Sequence, residues 1–135
     1  MPAVELVDET LILTSVRRLA FVVADSRRWD DWWPGMEVTV FLDEMPDSLH
    51  WSVAGDVVGS VRIRIQEVDG GVVLHYLLRL DPSQPPSRTD PRVDRDSPRS
   101  RRVVDQLRRI QAVRWKRVVW SLKDELERDD PAELR

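Results

Sequence analysis

A chain of 135 residues and 15.8 kDa, 41% hydrophobic and 33% charged, is sized for one compact domain spanning 1–135, and its composition excludes a wholly disordered, collagen-like or continuous coiled-coil chain. The absence of cysteine excludes a disulfide framework, a thiol nucleophile and a cysteine-held metal, and no apolar run approaches the roughly 18 residues of a membrane helix. The expected protein is soluble and cytoplasmic. The net charge of -3 conceals a division: fourteen acids face seven bases up to Asp81, whereas Arg88 to Arg117 holds eleven bases and four acids.

Taken in chain order, Val4 to Leu13 mixes β-branched residues with Glu5, Asp8 and Glu9 and reads as a half-buried first strand. Thr14-Ser15 precedes Val16, Leu19, Ala20 and Val23 at helical spacing, so a short helix should follow, capped by serine and ending near Asp25. Ser26 is the expected cap of a second short turn carrying Trp29, Trp32 and Trp33, which Pro34-Gly35 stops.

From Met36 the period becomes two. Val38, Val40 and Leu42 alternate with polar neighbours and Phe41, and Leu49, Trp51 and Val53 do the same beyond a turn. Val57–Val68, Asp69-Gly70 and Gly71–Leu80 form the clearest hairpin, because aspartate–glycine supplies the positive φ of a two-residue type I′ turn. That register sets Val68 opposite Gly71, Ile65 opposite Leu74, Ile63 opposite Tyr76 and Val61 opposite Leu78, giving one aliphatic face. Arg62, Arg64, Gln66, His75 and Arg79 occupy the wetter side.

The stretch 81–97 is rich in proline and charge, lacks periodicity and reads as a loop beside the start of the last helix, placed to act as a gate. Ser97-Pro98 opens that helix, which should run about 30 residues to Asp129-Asp130-Pro131. Val104, Leu107, Ile110, Trp115, Val118, Leu122 and Leu126 share a stripe expected to be buried, and Gln111 and Arg114 project within it. Trp120 and Val113 lie opposite; an exposed Trp120 would favour a homodimer.

Strand, two short helices, an antiparallel meander and a long amphipathic helix make an α+β, helix-grip arrangement: a curved antiparallel sheet of about five or six strands around a C-terminal helix. The passage Ala24 to Gly35 contains D-x-x-x-W-x-x-W-x-P-G and resembles START-like proteins, the superfamily of polyketide cyclases, dehydrases and lipid-transfer proteins. Trp115 to Leu126 resembles that superfamily's terminal helix. The resemblance implies a hollow between sheet and helix. Its expected walls are Val40, Trp51, Ile63, Tyr76, Leu78, Leu107, Trp115 and Val118, with Trp33 at one end, and its polar contacts are Gln111 and Arg114.

The expected partner is a small lipophilic or aromatic molecule. A cyclase or dehydrase acting in the same hollow is the enzymatic alternative, with Tyr76 or Arg114 moving the proton, and an interaction module built on the basic helix is the third. No metal or cofactor is expected: His50 and His75 are on separate strands, and glycine-rich phosphate loops and G-x-S-x-G are both missing. Nucleic acid is not expected either, since no aromatic residue interleaves the arginines.

Overall fold

The computed structural model describes residues 2–82 and 98–128. The stretch 83–97, with the expected gate and the Ser97 cap, lies outside the described residues.

Strand β1 (Val4–Ile12) leads to helix α1 (Val16–Val23), a single 3-10 turn (Ser26–Arg28) and the one-turn helix α2 (Trp29–Trp32). Strands β2 (Met36–Glu44), β3 (Ser48–Gly55), β4 (Val57–Val68) and β5 (Gly71–Pro82) follow, then helix α3 (Pro98–Arg128). The five strands make one sheet in the order β1-β5-β4-β3-β2, with every neighbouring pair antiparallel.

Local chemistry accounts for the boundaries. Ser15 caps α1, its hydroxyl accepting from the Arg18 backbone N–H. The 3-10 turn is capped by Asp25 rather than by Ser26: the carboxylate accepts from the Arg27 backbone N–H and also pairs with the Arg27 guanidinium, which a serine hydroxyl one residue later cannot do. The β4–β5 hairpin has the register read from the sequence, from Val68 opposite Gly71 to Val61 opposite Leu78, but its turn is not the expected type I′: Gly70 has φ +84°, while Asp69 does not have positive φ. Gly59 on β4 lies against β5: a Cβ there would lie 1.9 Å from the Arg79 carbonyl oxygen.

Two corrections concern phase. Alternation along β2 breaks at Phe41, where a bulge puts Leu42 opposite His50 and leaves Phe41 and Leu42 exposed, so Leu42 does not continue the inward row of Val38 and Val40. On α3, Ile110 is 43% exposed, and the fully buried residue that sequence reading missed is Val119. The core contains Trp115, Val119, Leu122 and Leu126 from α3 against Ile63, Leu74, Tyr76 and Leu78 from the sheet.

Helix α3 leans on β1 and is pinned at its C-terminal half. Lys116 pairs with Asp8, Lys123 donates to the Leu11 carbonyl, and Glu127 accepts from the Leu13 N–H. On the other side Arg28 grips Glu125 through two hydrogen bonds of 3.0 and 2.8 Å, and Arg18 donates to the Leu126 carbonyl. Before Gln111 no described residue of α3 is fully buried. Depth of packing therefore falls from the C-terminal to the N-terminal half of the helix.

Candidate functional site

The space between sheet and helix is organised by aromatic rings. Trp33, placed by the stop at Pro34-Gly35, is 1% exposed and donates its indole N–H to the Tyr76 hydroxyl at 2.9 Å. Its ring meets that of Trp51 edge-on at 4.8 Å, and Trp51 meets Trp29 at 5.3 Å. Tyr76 lies flat against Trp115. These rings occupy the middle of the interior with the protein's own side chains, and T-shaped and stacked pairs of this kind fix their members relative to one another.

Burial is the largest influence on Tyr76 and pushes its phenol up; the Trp33 hydrogen bond offsets this in part. The side chain is therefore a neutral phenol. Behind it, directly opposite in the register, lies Asp8 of β1. Asp8 accepts from the Trp115 indole at 3.1 Å, from Thr10 at 2.9 Å and from Lys116. Burial raises its carboxyl, but the hydrogen bonds from Lys116, Thr10 and Trp115 outweigh burial and hold it below the usual carboxylate range. In the sequence alone Asp8 is one of several acids on the first strand. Its parity with Val4 and Ile12, both fully buried, was the available signal that it points inward.

Of the expected site residues, Trp33, Trp51, Ile63, Tyr76, Leu78, Gln111 and Trp115 are buried, while Val40, Leu107, Arg114 and Val118 are half-buried. Three of the half-buried ones lie on one flank of α3. At about 100° per residue, Leu107, Arg114 and Val118 lie on the flank of α3 opposite the one whose Lys116, Lys123 and Glu127 hold β1. That flank faces away from β1. At the far edge of the sheet, Val38 and Val40 on the inward row of β2 are also only half-buried, and α3 reaches β2 where the Gln111 amide approaches the Met36 sulfur at 3.9 Å. Packing is thus incomplete on this flank of α3 and on the inward row of β2.

The indole N–H of Trp51, cross-strand partner of Val40, is fully buried and has no hydrogen-bond partner among the described residues. A buried donor left unmet costs about 1–3 kcal/mol. His75 lies on the outer face, with Nδ1 3.3 Å from Glu9 and Nε2 2.8 Å from Gln66. Among the described residues no group of three or more histidine or acidic side chains could hold a metal ion. No described helix is long and apolar enough to cross a membrane.

Two open grooves lie outside the sheet–helix interior. One, of about 520 Å³, runs between β1 and α3 past Glu9, Leu11, Lys116 and Trp120; the other, of about 350 Å³, is formed by Ala112, Val113, Lys116, Arg117 and Trp120. Both meet at Trp120, which is 65% exposed.

No family model matches the sequence, and no curated protein matches it significantly. Solved structures do resemble it. A START superfamily protein from Mycobacterium smegmatis superposes with a TM-score of 0.63 at 10% identity over 92% of this chain and 97% of that one. The Polyketide_cyc-like protein Cgl2372 from Corynebacterium glutamicum gives 0.56 at 16% identity over 96% of each chain. The Aha1 dimer from Colwellia psychrerythraea gives 0.55 at 14% identity over 92% and 96%. Identities this low speak for the path of the chain and not for its chemistry. A five-stranded antiparallel sheet with one long C-terminal helix, superposing over almost the whole length of these proteins, gives this chain the START-like, helix-grip fold.

Proposed function

We propose that the protein binds a small lipophilic or aromatic molecule carrying a polar or anionic group, in the cleft between the inward row of β2 and the far flank of α3. The observation that carries this reading is the half-burial of Leu107, Arg114 and Val118 on the flank of α3 away from β1, together with that of Val38 and Val40 on β2, which α3 reaches through Gln111 and Met36. Apolar surface of this kind gains about 25 cal/mol per Å² when a ligand covers it, less the cost of immobilising the ligand. Arg114 is the group suited to a carboxylate or enolate oxygen, and the Gln111 amide to a carbonyl or hydroxyl. The unmet Trp51 N–H supports the same reading, since a ligand acceptor would satisfy it. Similarity to a START superfamily protein and a Polyketide_cyc-like protein adds the general precedent.

Native mass spectrometry of freshly purified protein tests the proposal, together with titration of anilinonaphthalene sulfonate, an aromatic anion, followed by its fluorescence. A co-purifying small molecule or saturable one-to-one dye binding, weakened about tenfold or more by Arg114→Met, is expected. Neither a bound molecule nor saturable binding would sink it.

A further inference from the structure

The outward face of α3 carries a second chemistry, independent of the cleft. Arg99, Arg102, Arg109 and Arg117 are all exposed. Interspersed with them are Val103 at 49% exposure, Ile110 at 43%, Val113 at 49% and Trp120 at 65%. At about 100° per residue these eight side chains fall within about 120° of the helix circumference, over about 33 Å of its length. The acid in this stretch, Asp105, lies outside that arc and sits 3.7 Å from Arg108. Asp124 is the first acid on the arc, one turn beyond Trp120.

Before Gln111 the helix packs against the core through half-buried Val104 and Leu107, whereas Val103 and Ile110 are exposed and add little to that packing. Arginines alone would suit any polyanion. Aliphatic side chains set between arginines, with a tryptophan at the end, suit an anionic surface that also has an apolar layer beneath it. We propose that this face docks in the plane of an anionic lipid bilayer, the arginines at the headgroups and Val103, Ile110, Val113 and Trp120 at the acyl boundary.

The alternatives fit less well. A two-fold dimer through this face would set the same four arginines against their own copies, and like charges repel. A nucleic acid would engage the arginines through its phosphates but leave the exposed valines and isoleucine without a role.

The test is flotation of the full chain with vesicles of phosphatidylcholine alone or mixed equally with phosphatidylserine, at low and high salt. Binding to the mixed vesicles, lost at high salt and absent from pure phosphatidylcholine, is expected. Each of Arg102→Gln, Arg109→Gln and Arg117→Gln should weaken binding roughly fivefold, and Trp120→Ser about tenfold without altering the salt dependence. These residues are exposed, so the variants should fold, and circular dichroism checks that they do. Equal binding to both vesicle types, or none to either, overturns the proposal. So does a dimer that Trp120→Ser dissolves in the absence of flotation, or tighter binding to a DNA duplex than to the mixed vesicles. Dye binding in the cleft should be unaffected by Trp120→Ser, which separates this outcome from the fate of the ligand proposal.

Discussion

The ring of Tyr76, midway along β5, lies 3.6 Å from that of Trp115 on α3, with the two planes 5° from parallel. This stack ties helix to sheet at the centre of the molecule, and each ring has its polar end satisfied on a different side: Tyr76 by the Trp33 N–H, Trp115 by Asp8. Tyr76→Phe preserves the stack and removes the acceptor, leaving the buried Trp33 donor unmet. A loss of about 1–3 kcal/mol in urea unfolding is expected. Tyr76→Ala should cost more, about 3–5 kcal/mol, because the ring's volume goes as well.

Packing along α3 fixes the helix phase, and substitutions read it directly. Leu122, 3% exposed, should cost about 2–5 kcal/mol on replacement by alanine, whereas Ile110→Ala should stay within about 0.5 kcal/mol. Equal costs measured by thermal or urea unfolding would place Ile110 in the core, against the phase described above.

Asp8 predicts an acid limb of stability. Its folded-state pKa is depressed below the ordinary 3.8, so the ionised carboxylate stabilises the fold fully above that value. The contribution is lost as pH falls through the lower, folded-state value. Glu125, held down first by its hydrogen bonds from Arg28, acts in the same direction below its ordinary 4.5. Asp8→Asn should lower stability at neutral pH by about 1 kcal/mol, a modest figure because solvent screens the Lys116 side, and should flatten the unfolding curve measured below pH 4.

Gly59 should tolerate no side chain. Alanine there meets the Arg79 carbonyl at φ +155°, and the strands would have to part, costing about 1–3 kcal/mol or more. Gly70→Ala, with open space around it, should pay only the backbone strain of its positive φ, about 1 kcal/mol. Chemical denaturation of both variants distinguishes steric from conformational cost.

Filling the cleft should separate binding from folding. Val40→Phe enlarges a half-buried residue that borders the open side, so stability should change by less than about 1 kcal/mol while dye binding falls about tenfold or more. Unchanged binding, measured by the same fluorescence titration, would move the ligand away from β2.

Much of the fold was legible before any coordinates. The β4–β5 register followed from Asp69-Gly70 and strict alternation, since a two-residue turn leaves one pairing. The α1 cap followed from a serine ahead of a helical stripe. The bulge at Phe41 was not legible, because Val38, Val40 and Leu42 alternate without interruption; the slip is set by the pairing with His50 on β3. Nor was the rotation of α3, whose broad stripe accommodates either Ile110 or Val119. Strand β1 and the clamps at Glu125 and Glu127 choose Val119.

The candidate site divides the same way. Alternation and helical period are local properties, so the chain itself determined that Trp51, Ile63, Tyr76 and Leu78 face inward and that Gln111 lies among apolar neighbours. Which flank of the helix meets β1 and which is left half-covered depends on contacts between segments about 100 residues apart, such as Lys116 with Asp8 and Arg28 with Glu125. No local pattern encodes such pairings, because many side chains of the right charge compete for each. Tertiary packing alone decided that Trp33, Tyr76 and Trp115 would fill the centre and that Arg114 would be half-buried on the flank away from β1.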